Sequence, residues 1–242
     1  TTVYQSCMIA LNKGDLALEE AKKIRKLADE TISAIENYRT NFENEVSKEL
    51  KLRNEVFERF ITSIKSYNSN DLSIVTSKNE TTINAIQEIE LENITFKTLD
   101  YSKLFLNVNA KNFILQSDDK SKTELNLKSG KASIELNKNA MLKALISTID
   151  LKVDLYQKAK ATIEGDATTA KIRLDDNSSL TGNKLTVKNI DVTTEGDSSC
   201  SVNAVTTAVI DAAKKSEIQL IGSPKIEIRK FADEAKLLKK LK

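Results

Sequence analysis

The chain has 242 residues and a formal net charge of +2, with 30% charged and 5% aromatic residues. That length allows one or two domains with a sizeable core, and the near-neutral charge argues against a nucleic-acid binder or a protein built around acidic substrates. The absence of histidine removes Ser-His-Asp and Cys-His catalysis and most catalytic zinc sites. Two cysteines are too few for a disulfide framework. Apolar runs such as Cys7 to Leu11 are too short for a membrane-spanning helix.

Residues 1–14 are ambiguous, and Val3 to Asn12 fits a few helical turns closed by Gly14. From Asp15 to Ser69 there is neither Gly nor Pro, and Ala, Leu, Glu and Lys dominate the first half, a composition that predicts helix. Asp15 suits the N-cap. Apolar residues recur at Ile24, Leu27, Ala28, Ile32 and Ile35, and again at Phe42, Val46, Leu50, Val56, Phe57, Phe60 and Ile64, as an amphipathic stripe. Thr40-Asn41-Phe42-Glu43 has the form of a capping box and predicts a break there, giving a helical hairpin or small bundle. Basic and acidic residues nearly balance over this region, which suits a protein-facing helix pair better than a nucleic-acid groove. Phe42, Phe57, Phe60 and Ile64 are the candidate partner-binding residues, set against the alternative that the stripe packs on the chain's own second domain.

Ser66 to Asn70 reads as a linker, dividing a helical domain, 1–70, from a second domain, 71–242. Leu72 and Ile74 open an irregular first turn, and Ile89 and Leu91 lead into a repeat. Blocks starting at Ile94, Phe113, Ala132, Leu151, Ala170, Ile190 and Ala208 recur about every nineteen residues. A period near twenty is the mark of a solenoid. The third position of each block is Phe96, Leu115, Ile134, Val153, Ile172, Val192 or Ile210, so positions one and three form one apolar strand face. The ninth position is always small: Ser102, Ser121, Ala140, Ala159, Ser178, Ser198, Ser216. The thirteenth brings back Leu106, Leu125, Ala144, Ile163, Gly182, Val202 and Leu220 as a second strand facing the same interior. No block can bury its apolar face alone, whereas stacking the blocks as coils can. The expectation is therefore an α+β protein, with a helical hairpin followed by a parallel β-solenoid of about seven to nine coils stacked at about 4.8 Å.

At the far end, Gly222-Ser223-Pro224 turns the chain into two closing strands, the second rich in lysine. These lysines, with Leu237, Leu238 and Leu241 between them, suit protection of an unpaired edge, set against the alternative of a membrane-surface helix. Three chemical candidates stand beside blander readings. Cys200 falls at an interior position, as a packing thiol. Cys7 has no evident partner. Asp100, Asp119, Asp175, Asp176 and Glu195 gather at one corner, where turn chemistry accounts for them and weak calcium binding or catalysis is the sharper alternative; Lys138 and Gln157 interrupt the stack. No cofactor is implied.

The runs Glu195-Gly196-Asp197-Ser198 and Ser216 to Ile226, with the close Ala235-Lys236-Leu237, resemble the head-GIN-domain auto-transporter adhesin family over about residues 94–242. Gly-Ser-Pro stands here where that family has Gly-Asn-Pro. The resemblance implies a right-handed β-solenoid exported to the Gram-negative envelope, periplasmic, outer-membrane-associated or extracellular, with no established catalytic residues. On that footing the expected role is a non-enzymatic binding or assembly protein, most concretely a periplasmic accessory subunit docking onto a larger outer-membrane transport or secretion component. A surface adhesin is the alternative, and a polysaccharide-active enzyme the remote one.

Overall fold

The computed structural model describes residues 2–66, 71–76, 81–85 and 87–240, and the chain divides into two compact units, Thr1–Arg53 and Asn54–Lys242. It opens with one α-helix, α1 (Thr2–Ser66). The expected hairpin is thus corrected to a single helix, and its break at Thr40 does not occur. The Thr40 hydroxyl donates 2.9 Å back to the carbonyl of Glu36, and Glu43 accepts at 2.9 Å from Arg39 Nε. Both groups that would have capped a new helix are engaged along the existing one, and no Gly or Pro interrupts it there. Gly14, expected to close an earlier helix, also lies inside α1, where glycine weakens a helix by about 1 kcal/mol relative to alanine. The expected linker at Ser66 to Asn70 lies mostly outside the described residues.

Twelve strands follow: β1 (Asp71–Thr76), β2 (Thr82–Asn84), β3 (Ile89–Thr98), β4 (Lys103–Ser117), β5 (Lys122–Leu136), β6 (Met141–Leu155), β7 (Lys160–Leu174), β8 (Ser179–Thr194), β9 (Ser199–Ala212), β10 (Glu217–Ile221), β11 (Lys225–Phe231) and β12 (Lys236–Lys240). They form one parallel stack in which β3 to β10 succeed one another in chain order, a β-solenoid of about nine turns. From β4 to β7 residues pair with their equivalents one coil later, except at one skipped position per strand: Leu104 with Thr123, Leu106 with Leu125, Leu115 with Ile134.

Strands β4 to β7 are each bent once. Pairing skips Lys111 and Gly130 between β4 and β5, and Ile149 and Thr168 between β6 and β7. At the bend two successive residues face outward, so the alternation shifts phase. Leu104, Leu106, Val108 and Ala110 point inward before it, and Phe113, Leu115 and Ser117 after it. One fifteen-residue strand thereby lines two sides of the same interior.

The remaining corner explains the column of small residues. Asp100, Asp119, Lys138, Gln157, Asp176, Lys214 and Asp233 all have positive φ, as does Gly196, and each stands two residues before a small residue of the ninth-position column or, for Asp233, before Ala235. A tight turn closes there, as from the Ser102 amide to the Leu99 carbonyl at 3.2 Å and from Ala159 to Tyr156 at 3.2 Å. It turns Ser102, Ala140 and Ala159 fully inward, at 0% exposure, where a larger side chain would have no room. Corner amides also bond along the axis, Lys122 to Ser102 and Met141 to Ser121 at 2.9 Å each.

The three apolar columns read from the sequence form the core. Ile94, Phe113, Phe96, Leu115, Ile134 and Ile163 are at most 1% exposed, and the rings of Phe96 and Phe113 lie 6.5 Å apart. The two ends of the stack differ. Leu72 in β1 is 4% exposed, whereas every residue of β11 is exposed.

Candidate interaction surfaces

Three surfaces offer themselves, and the first is the apolar stripe of α1. Ile24, Leu27, Ile32, Ile35, Tyr38, Phe42 and Val46 are all exposed, Phe42 at 58%. Ile24 and Phe42 fall eighteen residues apart, five turns at 3.6 residues per turn, so the two share one line along the helix. Of the residues singled out in the sequence, Phe42 is therefore on an open face. Phe57, Phe60 and Ile64 lie within α1, but their side chains are outside the described residues. Away from the stripe, Lys22 bridges Glu19 at 2.9 Å and Lys26 bridges Glu30 at 3.8 Å. Such exposed pairs add only about 0.3–0.5 kcal/mol each. Burying one large apolar side chain is worth about 1.5–3 kcal/mol, so the stripe holds most of the interaction energy available to this helix.

The second surface is a groove of ≈ 730 Å³ that runs across the coils just after the bend. Phe113, Ala132, Leu151, Ala170 and Ile190 form its floor. One rim is a polar column, Asn112, Lys131, Asp150, Thr169, Asn189 and Thr207. Its members are tied from coil to coil: Asn112 Nδ2 donates to Asn93 Oδ1 at 2.7 Å, Thr169 to Asp150 at 2.5 Å, and Thr207 to Asn189 Oδ1 at 2.8 Å. The other rim carries Lys152 and Lys171, and Lys152 is anchored to Asp154 at 2.6 Å, a bond that raises the pKa of its ammonium. A shallower groove of ≈ 540 Å³ crosses the other limb over Phe105, Leu125 and Ala144, with Asn126 bonded to Asn107 at 3.1 Å. Sequence reasoning missed both grooves. Their signal was present, since the residue before each block's first position is polar from Asn93 to Thr207.

The third surface is the exposed last coil, β11 and β12. Its lysine-rich segment forms a strand, Lys236–Lys240, paired to β10 and not a membrane-surface helix.

The acidic corner does not assemble a reactive pair. Asp100, Asp119 and Asp176 occupy the positive-φ turn position, a conformation that Asp and Asn tolerate better than most residues. Lys138 reaches Asp119 at 2.7 Å and Asp118 at 3.2 Å. Lys214 binds Glu195 at 3.1 Å and lowers its carboxyl pKa, and Arg173 lies 3.8 Å from Asp175. Interleaved cations neutralise the column, and among the described residues no three metal-ligating side chains converge. Cys200 is 3% exposed, and burial pushes its thiol up to about 12, the character of a packing residue. Cys7 lies outside the described side chains.

A family profile described as "Putative auto-transporter adhesin, head GIN domain" matches residues 27–224. The match begins inside α1, well before the point where the resemblance was legible, and stops at Pro224, ahead of β11. Comparison with curated proteins and with solved structures returned no significant match.

Proposed function

The chain belongs to the head-GIN-domain family of auto-transporter adhesins, and from that premise we propose that it is a non-enzymatic binding protein of the cell envelope that acts by holding a protein partner. In this reading residues 1–70 are the docking domain and 71–242 a stiff scaffold. The concrete form is a periplasmic accessory subunit docked through α1 onto a larger outer-membrane transport or secretion component. The observation that carries it is the exposed stripe through Ile24, Ile35 and Phe42. An isolated amphipathic helix draws its stability mainly from packing that face, so a bound partner supplies what the helix lacks.

Recovery of the chain from native membranes tests the reading. Stoichiometric isolation with one large membrane protein supports it, provided that Ile35→Glu with Phe42→Glu lowers recovery by about tenfold or more, the loss of about 1.4 kcal/mol or more of binding. Isolation of the chain alone overturns it. The second reading, a surface adhesin, draws on the family description and on the open groove over Phe113 and Leu151. Protease added to intact cells separates the two, because an adhesin is cut from outside and a periplasmic subunit is not.

A further inference from the structure

The far end of the solenoid carries a separate interaction surface, independent of the reading of α1. In β11, Ile226, Ile228 and Phe231 continue the interior columns of Ala208, Ile210 and Ala212, which are 0%, 0% and 1% exposed. Yet these three side chains are 38%, 51% and 47% exposed. Among the described residues β11 pairs only with β9, and β12 only with β10, so there the outer edge of each presents unpaired backbone N–H and C=O groups. Apolar side chains beside an open hydrogen-bonding edge are the two things that an added strand requires.

The chemistry of the added strand follows from Lys239. It pairs with Leu220 and so occupies the interior column otherwise filled by Leu106, Leu125 and Val202. A further apolar coil stacked here would bury its ammonium unpaired, which is prohibitive, whereas a carboxylate arriving with the coil would satisfy it. Among the described residues Lys225, Lys236 and Lys240, on the same end, also have no ion-pair partner. A second copy is a poor occupant. Tail to tail it would set lysine against lysine, and the head of another copy presents β1, whose Leu72 is already buried.

We propose that β11 and β12 form a docking edge for an extended acidic segment of a partner protein, which adds a strand over Ile226, Ile228 and Phe231 and places a carboxylate on Lys239. The lysines then have two effects from one cause: they repel copies of this chain and select a partner of opposite charge.

The test uses the whole chain and two short synthetic peptides, one alternating valine with glutamate and one alternating valine with lysine. The glutamate peptide should bind about tenfold tighter or more, weaken as salt is raised, and slow amide exchange in β11 and β12. Lys239→Glu should invert the preference with the circular dichroism spectrum unchanged, and Ile228→Ser should weaken both peptides. Equal affinity for the two peptides, no binding of either, protection confined to α1 or the groove, or self-association through this end would each overturn the proposal.

Discussion

The stripe of α1 and the interior of the coils are built from the same kinds of side chain and meet opposite fates. Ile24, Ile35 and Tyr38 are 68%, 61% and 76% exposed, while Ile134, Leu155 and Ile163 are at 0%. A coil side chain finds its partner in the equivalent residue one coil away, so β4 to β9 complete their own packing. The described stripe residues of α1 have no such equivalent within their unit. Fold stability is therefore concentrated in the coils, and binding capacity in whatever apolar surface the coils leave uncovered.

The strongest way to break this comparison is at Gly165, which has φ of +113° and where a Cβ would come within 2.0 Å of the Ile146 carbonyl oxygen. Gly165→Val should destabilise the solenoid by about 3 kcal/mol or more in urea unfolding, since backbone strain adds to steric overlap. Leu115→Ala should remove about 2–5 kcal/mol, the range for emptying a packed interior position. A variant as stable as the parent would mean that the interior collapses freely.

Alkali sharpens the contrast. The buried Cys200 thiol keeps its proton until about pH 12, whereas the same thiol in the unfolded chain ionises near its ordinary value of 9.0. Its contribution is fully present below pH 9 and is lost progressively as the pH rises toward 12, because the unfolded state releases the proton first. Stability measured across that window should fall less steeply in Cys200→Ala than in the parent.

Smaller effects belong to the corner and the helix. The Ser121 hydroxyl is buried with no hydrogen-bond partner among the described residues, and alanine already occupies the same column at Ala140 and Ala159. Ser121→Ala should accordingly leave stability unchanged or raise it by up to about 1 kcal/mol. At the bottom of the scale, Phe42→Ala should move the solenoid's unfolding by less than about 0.5 kcal/mol. A loss of several kcal/mol there would show that the stripe serves the fold.

The solenoid was legible because its information is repeated. Phe96, Leu115, Ile134 and Val153 each state the same inward position, and Ser102, Ser121 and Ala140 the same corner, so one ambiguous block is outvoted by its neighbours. Nothing repeats in α1. Thr40 and Glu43 can cap a helix or bond within one, and only the observed bonds to Glu36 and Arg39 decide between the two. The grooves depend on the phase shift at Lys111 and Ile149, which alternation alone does not reveal when outward residues are themselves apolar, as Ile149 is. The open end was half legible. The lysines of β12 were visible as edge residues, but that Lys239 stands in line with Leu220 emerges only once the register is known.

From β4 to β7 the offset between coils is a constant nineteen residues, which makes this part of the chain a molecular ruler. Asn93, Asn112, Asn107 and Asn126 bond to partners nineteen residues away, so a duplicated block of that length between β5 and β6 would meet matching columns above and below. The scaffold would grow by one rung, the groove would lengthen with it, and neither terminus would notice. A single inserted residue has to be taken up by a bulge, as where β8 meets β7 and the pairing steps from Thr162 with Thr181 to Gly165 with Leu185, and without one it would turn the strand inside out.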